Sequence, residues 1–151
     1  MGNDVRLEDV TAQNWRAVAN LKLAEDQKRL LASNVYSIAQ SKFDEAAQPR
    51  AIYAGDEVVG FLMYDLPDVE DEDQSVPIYR FMIDKEHQGK GYGRQALTKA
   101  IEEIRDVPGI PAILISYVHG NPTAKKFYAS FGFVERPGKK DDWELVAELK
   151  L

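Results

Sequence analysis

A run of alternating glycines constrains this chain most: Gln88-Gly-Lys-Gly-Tyr-Gly-Arg94 has a glycine at every second position. Residues 78–84 before it alternate in a way that predicts a largely buried strand. Apolar residues recur at three- and four-residue spacing over 96–104, which predicts an amphipathic helix. Glycine lets successive backbone N–H groups converge, and a helix start adds unpaired N–H groups and a positive dipole end. Such a strand-to-helix turn favours an anion, above all a pyrophosphate.

Two familiar nucleotide-binding loops are excluded. The Walker loop ends in Gly-Lys-Ser/Thr, whereas this loop continues as Gly93-Arg94-Gln95. The dinucleotide pattern Gly-x-Gly-x-x-Gly is also absent, because the three glycines alternate strictly. The remaining pattern is Gln88-x-x-Gly91-x-Gly93, and the alternative to a phosphate loop is a plain glycine-rich turn into a helix. Its place between an alternating strand and an amphipathic helix favours the phosphate loop.

Composition narrows the class of protein. With 151 residues, of which 44% are hydrophobic, the chain suits one domain over residues 1–151. The net charge of -6 argues against a non-specific nucleic-acid binder, and no apolar run is long enough to span a membrane. The absence of cysteine excludes a disulfide framework, a thiolate zinc site and a Cys nucleophile, and it fits a cytoplasmic location. We expect no metal, nucleic-acid or membrane partner.

The remaining patterning predicts the element order β-α-α-β-β-β-α-β-α-β-β, that is, an α+β chain. Thr11 is a candidate N-cap for the first helix, and a second helix is predicted over residues 30–43. A hairpin is predicted from strands at 50–54 and 58–64, and the acidic run at 65–73 reads as a solvated loop. The helix after the glycine loop should make the strands at 78–84 and 112–118 parallel neighbours.

A second motif follows the strand at 112–118: Asn121-Pro-x-Ala124-x-Lys126-Phe127-Tyr128-x-x-Phe131-Gly132-Phe133. Asn121 is a candidate N-cap, with proline at the first helical position, and Gly132 a candidate C-terminal cap. Together with the glycine loop, this segment resembles the GCN5-related N-acetyltransferases (GNAT). The two motifs occur in the family's order and spacing, and the resemblance covers nearly the whole chain. Within the family, residues 79–93 are similar to the bacterial diamine (spermine/spermidine) acetyltransferases.

The resemblance implies a three-layer fold: a mixed, mainly antiparallel sheet of six to seven strands, about four helices and one βαβ crossover. It also implies direct transfer of acetyl from acetyl-CoA to a primary amine. The pantetheine would pair with a strand edge that splaying parallel strands expose, often at a bulge. The pyrophosphate would bind backbone N–H groups of residues 88–94. The implied cofactor-binding residues are Phe81, Met82, Ile83, Gln88, Gly89, Lys90, Gly91, Tyr92, Gly93, Arg94, Asn121 and Lys126.

Two catalytic residues follow from the same resemblance. Tyr128 matches the tyrosine that protonates the leaving thiolate; the alternative is a packed aromatic residue on an amphipathic helix. Many relatives carry a glutamate base within the central strand, but residues 78–83 contain no acid. Asp84 could act as the base through water or could cap the loop. His119 and Glu25 stay open as alternative bases.

The acceptor side is less constrained. A polyamine needs carboxylates along a groove, which Glu25, Asp26, Asp65 and the acidic run could supply; solvation is the alternative for most of that run. Four tyrosines could hold an amine by cation–π contact, with core packing as the alternative: Tyr36, Tyr64, Tyr79 and Tyr117. Rival functions are acetyl transfer to an amino acid, an aminoglycoside or a protein N-terminus, and a non-catalytic acyl-CoA sensor. A homodimer is possible, as in many relatives.

Overall fold

The computed structural model describes residues 4–24, 33–118, 121–137 and 144–151, and its elements follow the predicted order. The strands are β1 Val5–Asp9, β2 Ala47–Ala54, β3 Glu57–Asp65, β4 Val76–Ile83, β5 Ala112–Val118, β6 Val134–Glu135 and β7 Glu144–Lys150. The helices are α1 Trp15–Ala19, α2 Asn34–Phe43, α3 Tyr92–Arg105 and α4 Pro122–Ala129, with a 3₁₀ turn at Lys85–His87.

All seven strands form one mixed sheet in the order β1-β2-β3-β4-β5-β7-β6. Only β4 and β5 pair in parallel; the other neighbouring strands are antiparallel. The helical crossover between β4 and β5 and the β2–β3 hairpin are therefore confirmed. The hairpin turns at Gly55, whose φ of 62° lies in the left-handed region that glycine adopts readily.

The sheet separates two apolar layers, which confirms the three-layer architecture. One face packs against α3 and α4, and α3 buries the side chains that its spacing predicts: Ala96, Leu97, Ala100, Ile101 and Ile104. The opposite face packs against α1 and α2, through a cluster that includes Val18, Phe61, Met63 and Met82. Within the described ranges, no helix has the length and apolar character needed to cross a membrane.

The helix ends confirm some predicted caps and correct others. Asn121 Oδ1 accepts the Ala124 N–H at 3.1 Å, as predicted for the start of α4. At its other end, the N–H of Gly132 donates to the Ala129 carbonyl and that of Phe133 to the Tyr128 carbonyl, the Schellman arrangement. The left-handed φ of Gly132, 99°, permits this closure.

The first helix begins later than the sequence suggests, and the second begins after a serine cap. The Thr11 prediction is wrong, because α1 starts only after Asn14, whose Oδ1 accepts the Thr11 N–H. A local turn over residues 11–14 thus precedes the helix. Ser33 caps α2 through its Oγ, which accepts the Tyr36 N–H. The predicted start of α2 near residue 30 lies outside the described residues.

Candidate active site

Strand β4 has different neighbours along its two edges. On one edge it pairs with β3 from Ile78 to Ile83. On the other edge it pairs with β5 only over residues 76–78, opposite 113–115, although both strands continue further. Beyond Ile78 the β5 side of β4 therefore carries main-chain groups without ladder partners among the described strands, and buried groups of this kind require other partners.

A β-bulge marks the point of divergence. Met63 of β3 lies opposite Arg80, and the next residue, Tyr64, lies opposite Ile78, so Tyr79 is the extra residue on β4. A bulge bends the strand that carries it and increases its local twist. The bulge therefore accompanies the separation of β4 from β5 and opens a groove beside residues 81–83.

The glycine loop lies at the end of this groove. Gly89 and Gly91 have φ angles of 78° and 82°, and a Cβ at either position would meet no atom within 4 Å. These two glycines therefore give the loop its left-handed conformation and leave open space beside it. Gly93 differs, because it lies in α3 and its Cβ would lie 3.7 Å from the Ile83 side chain, an ordinary contact. The first N–H groups of α3 lack intrahelical partners, as at any helix start.

The groove, the loop and α4 enclose a cleft of about 670 Å³. Ten of the twelve predicted cofactor-binding residues line it; Lys90 and Lys126 are exposed and do not. Those ten are Phe81, Met82, Ile83, Gln88, Gly89, Gly91, Tyr92, Gly93, Arg94 and Asn121. Tyr128 also lines the cleft, together with residues that sequence patterning missed: His87, Thr123, Ala124 and Phe127.

Arg94 joins the start of α3 to α4. Its Nη2 donates to Ser130 Oγ at 2.7 Å, and its guanidinium lies 4.8 Å from the ring centroid of Phe131. The sequence predicts this arginine near a phosphate and does not indicate its contacts with α4. The aromatic residues of the second motif are a weak signal for such contacts, because arginine packs on aromatic faces. Their distance from Arg94, however, depends on the fold.

Tyr128 is held by aromatic packing. Its ring stacks on Tyr117 with centroids 5.5 Å apart and meets Phe127 and Phe133 edge-on. Among the described residues, none hydrogen bonds to its hydroxyl. Burial raises the pKa of Tyr128 to about 12, so the hydroxyl keeps its proton at neutral pH.

Asp84 occupies the capping position rather than the cleft wall. Its carboxylate accepts the Lys22 N–H through Oδ1 at 2.7 Å and the Glu86 N–H through Oδ2 at 3.2 Å. The residue is 8% exposed and does not line the cleft. Of the two alternatives for Asp84, this geometry favours capping of the turn after β4.

Of the predicted acceptor-side residues, the three described tyrosines, Tyr36, Tyr64 and Tyr79, do not line the cleft. Tyr36 is 62% exposed on α2, whereas Tyr64 is 1% exposed and donates its hydroxyl hydrogen to Glu103. Burial and that hydrogen bond raise the pKa of Tyr64, which is a core residue with almost no surface for a ligand. Tyr79 lies on the α2 side of β4. Glu25 and Asp26 lie outside the described residues, as does His119.

A polar cluster surrounds Tyr79 on that face. Its hydroxyl donates to Asp65 Oδ1 at 2.8 Å, and the Arg80 guanidinium lies 5.0 Å from its ring. Burial raises the pKa of the Asp65 carboxyl, and the Tyr79 hydrogen bond and the Arg80 charge oppose that rise only partly. Desolvation likewise raises the pKa of Tyr79. In the described ranges, no three histidine, aspartate or glutamate side chains are grouped to hold a metal ion.

Comparisons with known proteins agree with this architecture. Across the full lengths of both chains, the structure resembles an acetyltransferase from Thermus thermophilus (22% identity, TM-score 0.72). It also resembles a spermidine N-acetyltransferase from Vibrio cholerae in complex with CoA and spermine. That match has 17% identity and a TM-score of 0.71, and covers 98% of this chain and 95% of the other.

Sequence comparison identifies the family. A spermine/spermidine N(1)-acetyltransferase of Bacillus subtilis (strain 168) is 30% identical over 132 residues, which cover 85% of this chain and 87% of that protein. The acetyltransferase (GNAT) family matches residues 15–133. A match of that extent, on a fold with the family's open strand edge and glycine loop, shows that this chain is an acyltransferase of the GNAT family.

Proposed function

We propose that this protein transfers the acetyl group of acetyl-CoA to a primary amine of a small polyamine such as spermidine or spermine. The observation that carries the proposal is the cleft, because one cavity joins the open edge of β4, the glycine loop and Tyr128. The identity of 30% to a spermine/spermidine acetyltransferase supports the polyamine acceptor.

The cleft offers acetyl-CoA two kinds of backbone contact. At residues 81–83 this edge has no partner among the described strands, so it suits the amide groups of pantetheine, which can replace the missing strand. The Ile83 carbonyl already accepts a hydrogen bond from the Gln88 side chain at 3.1 Å. The loop at Gly89 and Gly91 has open space where side chains would otherwise stand, and the start of α3 points N–H groups toward a diphosphate. Arg94 adds a cation beside the loop, and Lys126 is exposed on α4, where it could meet a 3′-phosphate.

The reaction requires a neutral amine and a protonated leaving group. The amine nitrogen attacks the thioester carbonyl, so that the C–N bond forms and the C–S bond breaks. The amine loses a proton to a base through water, and the departing sulfur takes the hydroxyl proton of Tyr128. A desolvated phenol with no acceptor among the described residues is available for that transfer, which supports Tyr128 as the acid.

More than one group could serve as the base. Both carboxylate oxygens of Asp84 already accept backbone N–H groups, so its use as a base would compete with its capping role. Glu25, His119 and a chain of water molecules are the other routes for the proton.

The proposal is tested by following free CoA thiol while acetyl-CoA is mixed with spermidine or spermine. We expect turnover with both, and slower turnover with amino acids, aminoglycosides and peptide N-termini. Preference for one of those acceptors would keep the acetyltransferase and reject the polyamine. Calorimetry run in parallel identifies the remaining outcome: tight acetyl-CoA binding without turnover on any amine would indicate an acyl-CoA sensor.

A further inference from the structure

Tyr128 lacks any polar restraint of its own within the described chain. Its hydroxyl has no hydrogen-bond partner there, so ring packing alone fixes where the hydroxyl points. Two of its ring neighbours, Phe127 and Phe133, meet it edge-on, at centroid distances of 5.2 and 6.0 Å. Among the described residues, Tyr117 alone stacks on its face, with an interplanar angle of 25°. The position of Tyr117 therefore has a direct effect on the position of the Tyr128 hydroxyl.

Tyr117, in contrast, is fixed by hydrogen bonds. Its hydroxyl donates to Glu135 Oε1 at 2.7 Å. Its backbone lies in β5 opposite Leu145 of β7, and Glu135 lies in β6 opposite Ala147 of the same strand. The Tyr117–Glu135 bond thus spans β7 and ties two of its neighbouring strands together. Tyr117 is 8% exposed. Strand pairing thus fixes its backbone, burial restricts its ring, and the Glu135 hydrogen bond fixes its hydroxyl.

A third contact returns to the helix that carries the acid. Lys125 Nζ lies 3.8 Å from Glu135 Oε1, and Lys125 is in α4, one turn before Tyr128. The contact is solvent-exposed and worth little alone. It closes a ring of contacts, however, that runs from α4 through Glu135 and Tyr117 back to Tyr128.

We propose that Tyr117 is a positioning residue for acetyl transfer: clamped by Glu135, it holds the Tyr128 ring by face-to-face stacking so that the Tyr128 hydroxyl meets the leaving sulfur. The inference rests on the proposed function and deepens it. It also gives Tyr117 a role distinct from amine binding by cation–π contact, because Tyr128 covers one face of the Tyr117 ring and the residue is 8% exposed.

Kinetic variants separate the hydroxyl from the ring. Tyr117→Phe keeps the stack and loses the Glu135 bond, and we expect kcat to fall about five-fold, in the range of one lost hydrogen bond. Tyr117→Leu loses the stack as well, and we expect a fall of more than about ten-fold. KM for acetyl-CoA should not change in either. Glu135→Gln retains an acceptor oxygen and should keep most of the activity, whereas Glu135→Ala should match Tyr117→Phe and add nothing to it in the double variant.

The matched control is Tyr53→Phe, on β2. It also removes a tyrosine hydroxyl that is engaged in a hydrogen bond, because this hydroxyl accepts from the Asn14 side-chain amide. Its kcat should equal that of the wild type. A fall in kcat for this control as large as that for Tyr117→Phe would overturn the proposal, as would unchanged kcat in Tyr117→Leu.

A second readout does not depend on turnover. NMR of isotope-labelled tyrosine, with Tyr128→Phe to assign the signal, reports the titration of the Tyr128 hydroxyl. Because Tyr117 shields that ring from water, Tyr117→Leu should lower the pKa of Tyr128 from about 12 toward the ordinary value of about 10. A silent wild-type enzyme would reject the proposed function; an unchanged titration midpoint in Tyr117→Leu would reject the positioning role, whatever the activity.

Discussion

The two edges of β4 differ in what completes them. On the β3 edge the protein supplies the hydrogen-bond partners itself, and the strands approach so closely that a Cβ at Gly60 would lie 2.5 Å from the Met82 carbonyl oxygen. On the β5 edge the ladder ends at Ile78, and the cleft takes its place. One strand thus contributes stability along one edge and lines the cleft along the other.

This contrast indicates how one edge of a buried strand, next to the glycine loop, could serve the proposed binding of acetyl-CoA. Main-chain groups that lack a strand partner are already positioned to accept a ligand's amides. Residues on the closed edge should therefore affect folding first, and residues across the open edge should affect turnover first. Four substitutions and one control substitution test that division.

The largest effect is expected at the open edge, from Tyr128→Phe. Removing the hydroxyl deletes the proposed acid while it leaves the ring packing intact, and general acid catalysis contributes at least about 100-fold. We expect kcat to fall by about that factor, with the melting temperature and acetyl-CoA affinity unchanged. Steady-state kinetics and calorimetry measure these quantities, and near-normal kcat would remove Tyr128 from the mechanism.

Next in size is Gly60→Ala, which acts on the closed edge. The new methyl group would overlap the Met82 carbonyl, and backbone cannot move aside as a flexible side chain can. We expect the free energy of unfolding to fall by about 2 kcal/mol, as for overpacking elsewhere. Urea denaturation measures it, with Gly93→Ala as the control.

At Gly93 the added methyl would make only ordinary contacts, so the stability of Gly93→Ala should stay within about 0.5 kcal/mol of the wild type. Equal losses at both glycines would show that the close approach of β3 and β4 is not what requires Gly60.

Asp84→Asn has a smaller expected effect and separates the two alternatives for Asp84. The amide keeps one acceptor oxygen and loses the other, so we expect a loss of about 1 kcal/mol in stability. The kcat of the folded enzyme should change only slightly. A 100-fold fall in kcat with unchanged stability would instead identify Asp84 as the base.

The smallest effect is expected from Asp65→Asn, and it depends on pH. The folded state raises the pKa of Asp65, so ionisation of this carboxyl opposes folding. That cost is absent below the unfolded-state pKa of about 4 and grows as the pH rises through the folded-state pKa. Relative to wild type, the variant should gain stability from pH 4 to pH 7, by no more than about 0.5 kcal/mol. Urea denaturation at both pH values measures the gain, and a relative loss over that interval would contradict it.

Sequence patterning predicted what depends on local residues. The glycine loop between β4 and α3, the Asn121 cap and the buried face of α3 each follow from residues within a few positions of one another. The crossover rule then predicted that β4 and β5 are parallel neighbours. The two family motifs likewise predicted most of the cleft wall.

Features that depend on contacts distant in sequence were missed or left open. The backbone N–H of Lys22, which donates to the Asp84 carboxylate, lies 62 positions away in the sequence, and no local pattern signals it. Tyr64 and Tyr79 lie on the paired strands β3 and β4, yet their side chains face opposite layers of the sheet. The bulge causes this difference, because it shifts the alternation of side chains along β4. The stacking of Tyr117 on Tyr128 required the fold to bring β5 and α4 together.

The short parallel ladder has a mechanical consequence. Strands β1–β4 and strands β5–β7 form two parts of the sheet. In the described residues, the parallel ladder that joins these two parts is only three residue pairs long. A pantetheine chain that lies in the gap would add hydrogen bonds next to that ladder. Bound cofactor should therefore strengthen the connection between the two parts of the sheet. The thermal stability of the sheet should then rise with cofactor concentration, as mass action requires.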